Sequence, residues 1–178
     1  MITLRILYLI NYAGKAGTEK YVENLVRIFS AAGNECRFAY NVAGELSEKM
    51  AARGVPCLQL DLAGSPTAAG KELAAYCREH KIEVIHAQYP RENIIALLSL
   101  RHYAAPRVVY TNHLTIRSGL KWRVLNRIFT PRDHRIIAVC REGRDIMVQN
   151  GVCPERIEVI YNGVEPEKYP VRDMSVRP

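Results

Sequence analysis

The sequence predicts a doubly wound α/β domain built on a mostly parallel, seven-stranded, Rossmann-like sheet with helices on both faces. Short apolar runs alternate with amphipathic segments along the whole chain, which is the pattern of repeated strand and helix units. A glycine loop joins the first apolar run to the first amphipathic segment. The 178 residues, of which 48% are hydrophobic, are enough for one sizeable core, so a single domain is expected.

The first unit is a strand, a glycine loop and a helix. Residues 4–10 form a nearly continuous apolar run, typical of a strand that helices cover on both faces. Gly14 and Gly17 follow it, and Thr18 is the expected cap of the next helix. The apolar positions of that helix recur with the helical period: Val22, Leu25, Val26 and Phe29.

This order of elements predicts an anion site. Glycines let the backbone approach a ligand, and the first amides of the helix point toward it with the positive end of the helix dipole. A phosphate is the natural occupant of a loop made by Gly14, Gly17 and Thr18. The alternative is that the two glycines only make a tight turn between strand and helix.

The remaining elements follow in strict alternation. Strands are predicted at residues 35–40, 55–60, 83–87, 107–111, 135–139 and 157–160. Helices are predicted at residues 19–29, 46–53, 66–80, 94–103, 119–129 and 141–149. Glycine, asparagine or proline stands at most of their boundaries.

Composition narrows the partners and the compartment. A net charge of +7 and a pI near 9.3 favour phosphates, nucleotides or an anionic membrane face, without choosing among them. Five cysteines lie far apart without a C-x-x-C pair, and neither a signal peptide nor a long apolar run is visible. We therefore expect a cytoplasmic protein with no membrane span and no disulfide framework.

Polar residues gather where the predicted strands end. In a parallel sheet, ligands bind beyond the carboxyl ends of the strands, where the strand order reverses. The residues expected at this rim, besides the glycine loop, are His86, Gln88, Tyr89, Arg91, Asn112 and His113. A histidine at a strand end is often only hydrogen-bonded to its neighbours, but two of them near a glycine loop favour a site.

Four segments carry a resemblance to a known family. They are the opening strand and loop with Gly17-Thr18-Glu19, the strand at residues 83–88, the strand at residues 108–113 that ends in histidine, and residues 136–164, which end in Asn162-Gly163-Val164. Together, and in this order, they resemble the amino-terminal, acceptor-side domain of family 4 glycosyltransferases. The chain departs from the family pattern at Ala16, Gln88 and Cys140, where glycine, histidine and serine are common.

The resemblance implies a GT-B fold, in which two Rossmann-like domains face each other. Residues 1–164 would form the amino-terminal domain, and residues 165–178 would begin a linker to a second domain that this chain lacks. The enzyme implied is a retaining, metal-independent, hexosyltransferase-like glycosyltransferase without a cofactor. It would move a sugar from a nucleotide-diphosphate sugar to a glycan, lipid or small-molecule acceptor, and this fragment alone would be inactive.

The resemblance also implies roles for the rim residues. Gly14, Gly17 and Thr18 would face the donor phosphate or sugar, and His113 would be the catalytic residue beside the sugar. An acceptor pocket would be lined by His86, Gln88, Tyr89, Arg91 and Asn112. Attack would occur on the front face with help from the leaving phosphate, so no protein nucleophile and no metal ligand is expected.

Two other classes of protein remain as alternatives. A dinucleotide-dependent oxidoreductase would need G-x-G-x-x-G and an acid ending the second strand. Here the loop is G-x-x-G and the strand ends in Tyr40-Asn41, which disfavours that class. The other alternative is a non-catalytic, nucleotide- or anion-binding Rossmann-like module, which would bind a nucleotide without turnover. Nucleic acid is not an expected partner.

A basic segment at residues 119–129 suggests peripheral contact with the inner face of a membrane. The residues expected to face the lipid are Lys121, Trp122, Arg123 and Arg127. A basic amphipathic helix can lie on anionic lipid. In the alternative, the aliphatic residues pack on the sheet and the cations are solvated. The sequence favours this packing for four aliphatic residues, namely Leu120, Val124, Leu125 and Ile128, and does not decide which surface Trp122 faces.

Overall fold

The computed structural model describes residues 3–163, in which seven strands alternate with six helices. The strands are β1 (Arg5–Tyr12), β2 (Glu35–Val42), β3 (Cys57–Gln59), β4 (Val84–Ala87), β5 (Arg107–Asn112), β6 (Arg135–Ala138) and β7 (Ile157–Val159). The helices are α1 (Gly17–Ala31), α2 (Glu45–Ala52), α3 (Pro66–Glu79), α4 (Pro90–Ser99), α5 (Leu120–Phe129) and α6 (Arg141–Gln149). The predicted linker at 165–178 lies outside the described residues.

All seven strands are parallel, in the order β3-β2-β1-β4-β5-β6-β7. The predicted fold class is therefore confirmed, with a sheet that is wholly rather than mostly parallel. The order reverses between β1 and β4, which pair directly, with Tyr8 opposite His86. This is the point at which an open α/β sheet leaves a crevice for ligands.

The core lies on both faces of β1. Leu7 and Leu9 point to one face, where they join a buried cluster that includes residues of α3 and α4. Ile6, Tyr8 and Ile10 point to the other face and join residues of α1 and α2. Because successive side chains alternate across a strand, a continuous apolar run fills both layers at once.

Two helices begin earlier than the sequence predicts. Helix α4 starts at Pro90 rather than at residue 94, because proline fits the first helical turn and Tyr89 supplies the extended residue before it. Helix α1 starts at Gly17, after Ala16, which gives no side-chain cap. The prediction that Thr18 caps this helix is therefore wrong, since Thr18 lies within the first turn.

Helix α5 forms as predicted, but the expected packing on the sheet is wrong for Leu120, Val124 and Ile128, whereas Leu125 is half-buried. Leu120, Val124 and Ile128 are 75%, 50% and 52% exposed, and they repeat every four residues along the outer side of the helix. The inner side is set by Asn126, which is buried and donates from Nδ2 to the carbonyl oxygen of Asn150 at 2.9 Å.

A close backbone contact holds α5 in this orientation. Gly151 has φ +82°, and a Cβ placed there would lie 2.5 Å from the carbonyl oxygen of Arg123. Together with the Asn126 hydrogen bond, this contact turns the aliphatic strip away from the sheet. No helix within residues 3–163 is long and apolar enough to cross a bilayer.

Candidate functional site

A cavity of about 740 Å³ opens at the carboxyl rim of the sheet. Its wall is formed by the loop after β1, the start of α4, the end of β5, the loop at residues 114–119, and parts of α5 and α6. Asn150 supports this wall, since its side chain accepts from the amide of Ser118 and donates to the carbonyl of Ile116, both at 2.8 Å. The cavity thus occupies the region where the parallel-sheet rule places a ligand.

The structure divides the predicted site residues into two groups. Tyr89, Arg91, Asn112 and Trp122 line the cavity. The remaining members of the predicted pocket and donor loop do not: His86, Gln88, His113, Gly14, Gly17 and Thr18. Trp122 is therefore on the cavity side of α5 and is not part of the exposed strip, where a membrane-facing residue was expected.

His113 is oriented by Gln88. The imidazole Nε2 of His113 lies 3.0 Å from Oε1 of Gln88, whose own Nε2 donates to the carbonyl of His86 at 3.1 Å. Since the amide oxygen can only accept, Nε2 of His113 carries the proton and Nδ1 keeps its lone pair. The Tyr21 ring packs edge-on to His113, with ring centroids 4.9 Å apart.

Burial lowers the pKa of His113 to about 4. The neutral imidazole is therefore the form present near pH 7, and it offers one hydrogen-bond acceptor rather than a positive charge. Gln88 is fully buried behind it. Gln88 therefore fixes the orientation of the His113 ring, and its own side chain has no exposed surface for a ligand.

His86 is an interior residue. Its Nε2 lies 2.8 Å from the hydroxyl of Thr111, and its ring packs against Tyr8 at a centroid distance of 5.6 Å. Burial, with the nearby His113 as a smaller cause, lowers the pKa of His86 to about 3. Direct contact with an acceptor is thus disfavoured for His86, which instead ties β4 to β5 below the rim.

The two loop glycines differ in their surroundings. A Cβ at Gly14 would overlap the ring of Tyr12, whereas a Cβ at Gly17 would meet nothing within 4 Å. Gly17 also lacks the positive φ that would require glycine. Packing within residues 3–163 therefore gives no reason for glycine at position 17, although the sequence predicts a constrained loop there.

Thr18 and Tyr89 connect the glycine loop to the start of α4. The hydroxyl of Tyr89 donates to Oγ1 of Thr18 at 2.9 Å. This bond joins the elements after β1 and β4 across the switch point, so the loop and the cavity wall are held as one unit. Thr18 is buried, and its hydroxyl is engaged with protein.

Arg91 stands at the cavity edge with much of its guanidinium already used. Its Nη2 donates to the carbonyls of Ala63 and Gly64 at 2.7 Å, and its Nε donates to the carbonyl of Leu62. These bonds fix the segment after β3 against α4. Arg91 therefore shapes the cavity in addition to giving it positive charge.

Two buried acids also line the cavity, and the sequence did not predict them as site residues. Glu19 and Glu92 are 6% and 1% exposed. Burial raises the pKa of Glu92 to about 7, against the lowering effects of its own amide, the amide of Asn11 and the charge of Arg91. Glu19 stands on the polar face of its predicted helix and was marked only as part of the family segment Gly17-Thr18-Glu19. Glu92 precedes the helix predicted at 94–103, so only its place just after β4 could have marked it.

The fold is similar to one half of several solved glycosyltransferases, at low sequence identity. HepE from Anabaena, solved with UDP and glucose, is similar with a TM-score of 0.77 and 17% identity over 93% of this chain and 46% of that one. A glycosyltransferase from Rickettsia africae is similar with a TM-score of 0.79 and 13% identity, over 94% of this chain and 45% of that one. The lipopolysaccharide outer core galactosyltransferase WaaB is similar with a TM-score of 0.70 and 13% identity, over 90% of this chain and 46% of that one.

The sequence itself matches the model of Glycosyltransferase Family 4 over residues 16–168. The chain belongs to this family, and its fold is the amino-terminal, acceptor-side domain of the GT-B architecture, as the sequence predicts. It spans about half the length of the solved structures it matches. No curated protein sequence matches it.

Proposed function

We propose that this chain is the acceptor-binding half of a retaining, metal-independent glycosyltransferase that uses a nucleotide-diphosphate sugar as donor. The observation that carries the proposal is the meeting, at the switch point, of the glycine loop after β1 with the cavity bounded by α4 and β5. A donor phosphate suits the loop amides and the dipole of α1. A hexose is the sugar we expect to be moved, and HepE with UDP and glucose is a neighbour that supports such a donor.

His113 would serve the transferred sugar as a neutral hydrogen-bond acceptor. Gln88 holds the proton on Nε2, which leaves Nδ1 to receive a hydroxyl hydrogen. Tyr89, Arg91 and Asn112 would line the acceptor side. The attacking hydroxyl would approach on the face that the phosphate leaves, and that phosphate would take the proton, so the protein supplies position and electrostatics.

The test is a donor screen on a two-domain protein that carries this chain, with products identified by mass spectrometry. We expect transfer from one class of nucleotide sugar by the two-domain protein, and no transfer by residues 1–178 alone, because these residues span only about half the length of the solved structures they match. Transfer by the isolated chain would overturn this division of labour. Nucleotide binding without turnover in the two-domain protein would instead favour the non-catalytic binding module.

A second proposal concerns where the protein works: α5 would rest on the anionic inner face of a membrane from the cytoplasm. Leu120, Val124 and Ile128 form an exposed aliphatic strip. Lys121, Arg123 and Arg127 are exposed on the same helix, and no Asp or Glu occurs between residues 114 and 132. Exposed apolar area beside cations is the combination that interfacial helices use.

A further inference from the structure

We infer that Glu19 and Glu92 form a hydrogen-bond-accepting subsite that receives the hydroxyl groups of a neutral sugar unit of the acceptor. The inference rests on the proposed function and narrows its acceptor to one whose entering part is a glycan rather than a phosphate or a bare lipid. Both side chains line the cavity, one from the first turn of α1 and the other from the first turn of α4.

Each glutamate has an oxygen whose hydrogen-bonding capacity is unused. Oε2 of Glu19 and Oε1 of Glu92 are buried, and within residues 3–163 neither has a hydrogen-bond partner. A buried acceptor without a donor is costly, and more so when it is ionised. Both residues line the cavity, but these two oxygens are themselves covered. Each carboxylate must therefore turn about its side-chain torsions before the O–H groups of an entering molecule can reach the oxygen and relieve this cost.

Tyr89 lines the same cavity as the two acids, but its hydroxyl proton is already donated to another residue. Burial raises the pKa of Tyr89, and the charges of Glu19 and Glu92 raise it further as smaller causes. Its hydroxyl nevertheless donates to Thr18 and not to either acid. The tyrosine hydroxyl therefore does not satisfy the unpartnered oxygen of either glutamate.

The same arrangement disfavours an anion in this part of the cavity. Two buried carboxylates, once ionised, repel a phosphate at short range, even though the whole chain has a net charge of +7. Arg91 and Arg117 also line the cavity, but Arg91 already donates to three backbone carbonyls. The opposite wall includes Trp122, Met147 and Val152, which are apolar. A pyranose ring, with hydroxyls on its rim and C–H groups on its faces, matches a cavity that has acceptors on one side and an indole on the other.

The experiment measures binding of methyl glycosides of glucose, galactose, mannose and N-acetylglucosamine to residues 1–178 by NMR chemical-shift titration. We expect at least one to bind, on the order of millimolar, at the cavity residues. At pH 8, above the raised pKa of Glu92, Glu19→Gln and Glu92→Gln should each weaken that binding about tenfold, since a hydrogen bond to a charged group is replaced by one to an amide. Glu72→Gln, an exposed acid on α3, is the matched control and should bind as the unchanged protein does.

Glucose 6-phosphate provides the second arm and should bind no more tightly than the glucoside. The inference is overturned if no glycoside binds up to about 100 mM, if both glutamine variants bind normally, or if the phosphorylated sugar binds more tightly. Neither donor nor second domain is needed for this measurement. If no glycoside binds, the donor screen still decides whether the protein transfers sugar. If the donor screen fails, the glycoside titration still decides whether the subsite exists.

Discussion

His113 and Gln88 lie side by side at the rim, with Nε2 of the imidazole 3.0 Å from Oε1 of the amide. The amide is held in turn by the carbonyl of His86 at 3.1 Å. One fully buried side chain therefore decides which imidazole nitrogen can face a ligand. Position 88 departs from the family pattern, in which histidine is common. The glutamine amide at this position accepts a hydrogen bond from the imidazole and leaves the imidazole neutral.

We expect His113→Ala in a two-domain enzyme to slow transfer by on the order of a hundredfold or more. The reason is that Nδ1 would receive a sugar hydroxyl more strongly in the transition state than in the bound donor. Steady-state kinetics and thermal unfolding on the same preparation provide the measurement. A lowered melting temperature with normal turnover of the folded fraction would make His113 a purely structural residue.

Gln88→Glu should turn His113 into a cation near neutral pH. A carboxylate in place of the amide oxygen favours the protonated ring, so the pKa of His113 should rise from about 4 by several units. NMR titration of the imidazole C–H signals in residues 1–178 measures it. The exposed His102 is the control, and its signals should be the same in the variant and the unchanged protein. An unmoved pKa of His113 would show that the pair does not interact in solution.

Gly17→Val separates a ligand effect from a folding effect. A Cβ at position 17 meets open space and φ is not positive, so the unfolding free energy of residues 1–178 should change by less than about 1 kcal/mol. In a two-domain enzyme the same change should raise the donor KM, because a branched side chain would stand where a phosphate approaches the backbone.

Gly14→Ala is the companion to that change. Its Cβ would overlap the Tyr12 ring, which is 53% exposed and can swing away. We expect a shifted Tyr12 and a small loss of stability rather than unfolding. An unchanged donor KM in both glycine variants would move the donor site away from this loop.

Anionic vesicles should bind residues 1–178 through α5. Each cation near such a surface is worth about 1 kcal/mol, so replacing Lys121, Arg123 and Arg127 with glutamine should weaken binding by about a hundredfold and remove its salt dependence. Replacing Leu120, Val124 and Ile128 with serine should also weaken it, without loss of fold, because these side chains are exposed.

The matched control lowers the net charge equally at sites away from α5. Lys71, Arg101 and Arg107 are exposed on other elements, and their change to glutamine should leave most of the vesicle binding in place. Co-sedimentation with vesicles containing phosphatidylserine, compared with phosphatidylcholine alone, measures all three proteins. Equal loss in the control would mean that the overall charge, not α5, attracts the membrane.

The fold could be predicted from the sequence because each strand is a short apolar run and glycine, asparagine or proline stands at most helix boundaries. Residues 4–10 fill both faces of the sheet, and that placement depends only on the alternation of side chains. Helix α5 shows the limit of such patterns. Its aliphatic strip is as regular as a buried one, and its orientation depends on Asn126 and Gly151, whose contacts lie far along the chain.

The site was predictable by position but not by the direction of its side chains. The rim rule places residues 86–91 and 112–113 at the correct end of the sheet. It cannot distinguish Gln88, which points inward, from Tyr89, which lines the cavity. Glu92 was missed because the predicted helix begins at residue 94, so Glu92 fell in the loop before it, and only the packing of α4, which starts at Pro90, shows that it is buried.

Glu92→Gln should stabilise the fold above neutral pH. Burial raises the pKa of Glu92 from 4.5 to about 7, so the unfolded chain releases this proton first, and the native state is penalised as the pH rises from 4.5 through 7. Below that window both states are protonated and the penalty is absent. At pH 8 this penalty lowers the unfolding free energy by about 3 kcal/mol, because the pKa rises by about 2.5 and a rise of one corresponds to about 1.36 kcal/mol.

Urea unfolding of residues 1–178 at several pH values between 5 and 8 measures this difference. The glutamine variant should exceed the unchanged protein most at pH 8 and least at pH 5, while Glu72→Gln should show no such trend because Glu72 is exposed. A constant advantage across the range would indicate a packing effect rather than a titration. A variant less stable at pH 8 would mean that the ionised carboxylate is already well hydrogen-bonded in the protein, which would also remove the energetic reason for it to receive a sugar hydroxyl.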